Sequence, residues 1–395
     1  MVLSLVLALS LCLRLLELDQ PCSTPCKLSS PHALIFDENY YVNAARVIDG
    51  INPPKGAPYH GAPRGDDPNA EHPQLAKLVI AGGIRLFGDG PWGWRVGSVL
   101  FGLIAMVALY GLVRASGGSQ WLGVGVVGVM GSDNLLLVHG RIGTLDIYAV
   151  SLMLVAAWFY MRGWHLGAGV VLGVAGCMKE VALLLLVVLV VFEGLRVARA
   201  RWVRGSAVGW PRFAARPLLI AIVGSVLCFL GLLWLLDVLV PAYDPVHHVT
   251  YAGSPFTHLF HIYEYAQHLT AKPNETGITS TPWQWLLDQK VIEYGRLARN
   301  TVRDGKVIST HTLASFKGEI NPFIIFVAVP ALFTGVLAAW RDSDELAMIG
   351  VCWLLGTFPI FALESLLSGR ISYIYYMVIV MPGIYILTTR MFTKT

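Results

Sequence analysis

Two acidic residues stand side by side at Asp37 and Glu38, inside the run IFDENYY. Carboxylates among apolar and aromatic neighbours are costly unless they serve a purpose. A general base is one such purpose, because a carboxylate can accept the proton of an attacking hydroxyl that lies within hydrogen-bond reach. The same pair also fits the start of a helix, with Asp37 as the cap and Glu38 favouring the dipole. Further on, GDDPNAEHPQLAK brings Glu71, His72 and Lys77 close to a helix start. The segment SDNLLLVHGRIGTLDIY carries Asp133, Arg141 and Asp146 near the ends of two apolar runs. Arg141 can hold a phosphate through paired hydrogen bonds, or pair with Asp133 or Asp146, and both can hold together. Lys179 and Arg370 add two more cations from separate parts of the chain. Cations near a carboxylate suit transfer from a phosphate donor, whose leaving group gains charge as its bond breaks. Snorkelling of each cation to lipid headgroups is the plainer alternative.

Such residues need a frame, and the composition names it. Of 395 residues, 55% are hydrophobic and 14% charged, where a soluble domain has about a quarter of its residues charged. Mean hydropathy is +0.61. The chain is expected to lie in a bilayer, as an all-α integral membrane protein. Apolar runs near 2–17, 95–114, 121–138, 144–161, 165–178, 180–195, 217–240, 322–340, 345–367 and 372–389 predict about ten transmembrane helices. The run 165–195 is split at Met178, Lys179 and Glu180. Between 194 and 216 there are six arginines (Arg196, Arg199, Arg201, Arg204, Arg212 and Arg216) and no acid, which marks that stretch as cytoplasmic. Parity then puts 18–94, 139–143, 179, 241–320 and 368–371 on the outer side, and the candidate residues fall there or, for Asp133 and Asp146, near the outer ends of the adjoining runs. Two modules are expected: 1–210, with the outer loop 18–94, and 211–395, with the outer loop 241–320. In the first loop, LAKLVIAGGIRLF is too short to span and reads as an interfacial helix. In the second, TPWQWLLDQKVIEY also reads as interfacial, since Trp and Tyr favour the headgroup level.

Other features carry less. The histidines of 241–320, among them His258 and His261, lack accompanying acids in a metal-binding pattern, so no metal site is expected. Asn274, Glu275 and Thr276 form an N-glycosylation sequon. Cys12, Cys177, Cys228 and Cys352 lie in apolar runs as small buried hydrophobes. Cys22 and Cys26 are close enough for a local disulfide on an oxidising side, or remain two thiols.

From Phe36 to about Pro382 the ordered segments resemble the protein O-mannosyltransferase family, which has the GT-C fold. IFDENYYVNAARVI is similar to its acidic motif, EHPQLAKLVIAGGIRLFGDGPWGWRVGSVLFG to its HPPLAK segment, HGRIGTLDIYAV to its SRxxxLD turn, and GVAGCMKEVALL to its GxKW segment. TPWQWLLDQKVIEY, NPFIIFVAVPAL and GRISYIYYMVIVMP resemble its carboxy-terminal membrane part. The resemblance implies an inverting transferase that moves mannose from a polyprenyl or dolichyl phosphate to Ser or Thr hydroxyls of exported polypeptides. It makes Asp37 the base and Glu38 an assistant that orients the acceptor. Arg141, Lys179 and, less closely matched, Arg370 become donor phosphate binders. His72 falls on the family histidine with Glu71 before it, and Asp146 on the acid of the turn. By analogy no cofactor or metal is needed, the lipid-linked sugar being a substrate. A multi-pass place in the plasma membrane, with the site outside, follows. No nucleic acid partner is implied. HPQL in place of HPPL, Glu71, and Glu180 where an aromatic residue is usual depart from the pattern and leave sugar and acceptor open. The second outer loop has no room for the repeat domain of eukaryotic members. The rivals are a transferase of another polyprenyl-phosphate sugar to a lipid or glycan, as in the aminoarabinose transferases, and a transporter or flippase. A transporter would be expected to show charges at mid-membrane and inverted repeats, and neither is evident.

Overall fold

The computed structural model describes residues 1–22, 31–204, 212–270, 277–303 and 306–393. In chain order the first half runs α1 (Val2–Leu15), α2 (Glu38–Ile48), α3 (Leu75–Phe87), α4 (Pro91–Ala115), α5 (Gln120–Ser132), α6 (Asn134–His139), α7 (Asp146–Met161) and α8 (His165–Met178). A 3-10 turn, Glu180–Leu183, leads into α9 (Leu184–Arg204), followed by α10 (Arg212–Leu239). The second outer segment holds β1 (Ala242–Asp244), β2 (Val249–Tyr251), α11 (Pro255–His268), α12 (Pro282–Trp285), β3 (Ile292–Arg303) and β4 (Lys306–Gly318). The chain closes with α13 (Pro322–Arg341), α14 (Glu345–Ser368) and α15 (Met377–Met391).

A helix stands at each of the ten expected runs. Six are long and apolar enough to cross a membrane by themselves: Pro91–Ala115, Glu180–Trp202, Ala215–Leu239, Pro322–Arg341, Glu345–Ser368 and Ile374–Met391. The other four, Val2–Leu15, Gln120–Ser132, Asp146–Met161 and His165–Met178, are shorter. At 1.5 Å per residue they reach about 20–24 Å, less than the roughly 30 Å of a hydrocarbon core. The protein is a multi-pass membrane protein with the GT-C arrangement of helices. The break after α8 is sharp, because Lys179 is fully extended (φ −161°, ψ 129°).

Close packing of α8 on α10 crosses the division expected near residue 210. A Cβ at Gly173 would stand 2.6 Å from Cys228 Cβ and 2.8 Å from the Ser225 carbonyl, so only glycine allows the two helices to approach this closely.

Two features differ from the sequence reading. The second outer segment is not all helical: β1 pairs with β2, and β3 pairs with β4 in a long antiparallel hairpin from Ile292↔Gly318 to Arg303↔Lys306. The segment TPWQWLLDQKVIEY, expected to be interfacial, is partly buried and only briefly helical. Only Pro282–Trp285 is helical, and Trp285 is buried against Phe361 and Tyr376, its indole N–H donating to the Ser280 hydroxyl at 2.9 Å. Its last three residues enter β3, where Ile292 and Tyr294 are buried. The α3 helix lies against α2 and α4 and leaves Leu86 and Phe87 exposed, the pattern of an interfacial helix. Cys22 is in a disulfide. Cys26 and the sequon at 274–276 lie outside the described residues.

Candidate active site

A cavity of about 810 Å³ opens among α2, the 69–72 loop, the starts of α7 and α9, and the turn after α14. It gathers Asp37, Glu71, His72, Asp146, Lys179 and Arg370. They come from three expected outer stretches and, for Asp146, from the end of the run that follows a fourth, so one end of the helix bundle carries them all. At the other end of α9 and α14, Arg196 pairs with Glu193 and Glu345, and Arg199 donates to the Trp340 carbonyl at 2.9 Å. Along α9 these arginines lie 12 and 15 residues beyond Leu184 at the cavity, about 18–23 Å away.

Asp37 begins α2, and its carboxylate opens on the cavity with no hydrogen-bond or ion-pair partner among the described residues. Burial raises its pKa to about 7, opposed by Lys179 and assisted by Asp146. It is half-buried, open on the cavity side and surrounded by protein on the others. A carboxyl with a pKa near neutrality and a free oxygen is suited to take a proton.

Cations face it. Lys179 Nζ lies 2.7 Å from Asp146 Oδ1 and 5.4 Å from the centre of the Tyr375 ring. The break after α8 is what turns this lysine inward. Arg370 Nη1 lies 3.1 Å from Glu364 Oε2, while its Nε is buried without a partner and free to donate. The turn that carries Arg370 is strapped by the second outer segment: the Ile371 amide donates to the Leu269 carbonyl and the Ser280 amide to the Ser372 carbonyl, each at 2.8 Å.

On the opposite wall His72 Nδ1 sits 3.1 Å from Glu180 Oε2, so the histidine that matches the family pattern meets a residue that departs from it. Glu71 accepts from the Asn69 side chain at 2.5 Å, and burial pushes its pKa up. The loop is fixed from below by Lys77 and Asp67, a fully buried pair at 2.5 Å, and by the Asp67 amide, which donates to the Pro241 carbonyl at 2.8 Å.

Two expected site residues are elsewhere. Glu38 is fully buried and points away from the cavity. Arg95 grips it at 2.7 and 2.8 Å, and it also accepts from the amides of Gly143 at 2.8 Å and Ile35 at 2.7 Å. All its strong acceptor positions are taken, so it anchors α2 to α4 and cannot touch an acceptor. Arg141 does not face the cavity either. It donates to the Leu16 carbonyl at 2.6 Å and the Glu17 carbonyl at 3.0 Å, and stacks 3.9 Å from the Phe316 ring centre. The carbonyls just past the end of α1 attract it, as they would any cation. Asp133 and Asp146 do not pair with it: Asp133 accepts from the Asn321 amide at 2.9 Å and from the Tyr385 hydroxyl. The histidines expected to be structural are so engaged: His258 lies 2.8 Å from Asp237 Oδ1 and 3.0 Å from the Ala70 carbonyl, and His261 Nδ1 lies 2.9 Å from the Tyr251 hydroxyl. Among the described residues no group of three or more metal-ligating side chains occurs.

Arg95 was missed by sequence reasoning, though a lone arginine at the head of the apolar run WRVGSVLFG had to find an acid. So was the aromatic wall of Tyr41, Tyr59, Tyr265 and Tyr373.

Known proteins resemble this chain in part of its sequence and in its fold. Residues 71–227 match the family described as dolichyl-phosphate-mannose-protein mannosyltransferase. A polyprenol-phosphate-mannose–protein mannosyltransferase of Corynebacterium glutamicum is 35% identical over 135 residues, which are 32% of this chain and 24% of that protein. The chain thus matches about a quarter of the length of that relative. Among solved structures, ArnT from Cupriavidus metallidurans bound to undecaprenyl phosphate superposes with a TM-score of 0.60 at 18% identity, over 98% of this chain and 59% of that one. The oligosaccharyltransferase AglB from Archaeoglobus fulgidus, in complex with an inhibitory peptide and a dolichol-phosphate, gives 0.51 at 12% identity, over 98% and 49%. Over residues 71–227 the chain is similar to the dolichyl-phosphate-mannose-protein mannosyltransferases, and over nearly its whole length its fold is similar to that of ArnT.

Proposed function

We propose that the chain catalyses inverting transfer of mannose from a polyprenyl phosphate to Ser or Thr hydroxyls of exported polypeptides, at the outer face of the plasma membrane. The observation that carries this reading is the unpartnered Asp37 carboxylate facing Lys179 and Arg370 across one cavity. In the reaction the acceptor oxygen bonds to the anomeric carbon while the bond from that carbon to the phosphate oxygen breaks. The hydroxyl proton passes to Asp37, and the electron pair leaves with the lipid phosphate. Lys179 and the free Nε of Arg370 stabilise that phosphate as its charge grows. Asp146 holds Lys179 in place. Glu71 and His72, on the far wall, border the acceptor. The positive charge of Lys179 and Arg370 does what a metal ion would otherwise do, and transfer that survives EDTA checks this point.

Mannose and a polypeptide acceptor are supported by the sequence relation to the Corynebacterium enzyme, and a polyprenyl phosphate by the ligand of the ArnT structure. The outer face is supported by the arginine-rich end of the bundle lying away from the cavity and by the disulfide at Cys22, a bond kept in oxidising compartments. The test uses membranes bearing Asp37→Asn or Lys179→Ala, given radiolabelled polyprenyl phosphate mannose and a Ser/Thr peptide. A loss of about 100-fold or more is expected for Asp37→Asn. Full transfer by both variants would sink the assignment.

A further inference from the structure

Asp37 has no side-chain partner, so its position is set by the chain on either side of it. Glu38, which follows, is clamped by Arg95 and by the Gly143 amide. Phe36, which precedes it, has φ +51°, a left-handed conformation that a bulky side chain rarely adopts unless its surroundings impose it. The surroundings here are rings. Phe36 stands edge-on to Tyr294 at 5.4 Å and to Tyr375 at 5.8 Å, distances typical of favourable aromatic pairs. The Tyr294 hydroxyl lies 3.0 Å from His139 Nε2, and His139 Nδ1 lies 3.1 Å from the Thr144 hydroxyl. Both Tyr294 and His139 are buried.

The geometry points to Tyr294, on strand β3, as a positioning residue for Asp37, acting through Phe36 and fixed in turn by His139. The inference rests on Asp37 being the base. It gives the outer hairpin a place in the reaction: its root braces the backbone that aims the carboxylate, although no hairpin residue need touch the sugar.

Steady-state transfer by Tyr294→Ala, Tyr294→Phe and Phe36→Leu in membranes tests it. With the brace removed, Phe36 can relax and Asp37 can swing toward water, while the charged and titratable groups facing it across the cavity (Lys179, Arg370, Asp146, Glu71 and His72) stay put. Tyr294→Ala should lower kcat by about 10–100-fold, the penalty of misplacing a reacting group by about 1 Å, with KM for the donor within about threefold. The acid limb of its kcat–pH profile should move toward the ordinary carboxylate range. Tyr294→Phe, which keeps the ring, should hold kcat within about threefold of the parent. Should Tyr294→Ala fail to accumulate, Phe36→Leu must show the same kcat loss and the same shift of the limb. Parental kcat in Tyr294→Ala, or a lowered kcat with the limb unmoved, overturns the inference. That outcome differs from failure of the base reading, in which Asp37→Asn itself would still transfer.

Discussion

Replacing Asp37 by asparagine separates what the carboxylate does for the reaction from what it does to the fold. Burial raises its pKa from 3.8 to about 7. At about 1.4 kcal/mol for each tenfold change in proton affinity, ionising it inside the protein costs about 4 kcal/mol, an upper figure because water in the cavity screens the charge. The folded chain holds this proton more tightly than the unfolded chain. The penalty is therefore absent below the unfolded pKa near 3.8, grows as the pH rises, and is complete above about 7. Asparagine does not titrate, so Asp37→Asn should melt above the parent protein by a margin that widens with pH. Between about pH 5 and 8.5 the margin should grow by about 2–3 kcal/mol, while sugar transfer is lost throughout. Melting curves of both proteins in nanodiscs, followed by intrinsic fluorescence across that pH series, measure it. A constant margin, or one that shrinks at high pH, would refute the reasoning, since it would mean that the charged carboxylate is already satisfied.

Three further outcomes are expected. Arg95→Met strands the fully buried Glu38 and should destabilise the protein by about 3–5 kcal/mol, with Glu38→Gln in the same chain recovering much of it; the yield of monodisperse protein in detergent reads both. Arg141→Ala should leave the affinity for polyprenyl phosphate within about threefold while lowering the melting temperature, whereas Arg370→Ala should weaken that affinity about tenfold or more, as equilibrium binding of the lipid would show. Gly173→Ala forces α8 away from α10 and should cost about 1–3 kcal/mol, visible as a lower melting temperature with unchanged donor binding.

Hydropathy made the helices legible, because a bilayer punishes any other use of twenty apolar residues. Charge parity also brought Asp37, His72, Asp146, Lys179 and Arg370 to one end, since side of the membrane is a one-dimensional property that a chain can be read for. Glu38 and Arg141 were read into the site for the same reason, and there the method ran out. Being on the right side does not say which way a side chain points, and both are claimed by partners distant in sequence: Arg95 for one, the carbonyls of Leu16 and Glu17 for the other. The β3–β4 hairpin had a readable signal in the Asp304-Gly305 pair between two strand-prone runs. Its aromatic root against Phe36 had none, because that contact joins residues more than 250 positions apart.

The grip on α1 has a consequence for how the molecule comes together. Arg14, near the end of α1, is fully buried, and its guanidinium lies against Gly102 and Gly140. The carbonyls just beyond α1 are held by Arg141. Every one of these partners is synthesised later, Arg141 more than a hundred residues after α1 leaves the ribosome. Until then α1 is an apolar helix with a cation at its end and none of these partners made, so it stays unlocked until the turn at residues 140–141 has followed it. The turn at residues 140–141 acts as the latch for a segment already in the membrane, and variants there should show their damage as slow assembly before they show it in the chemistry.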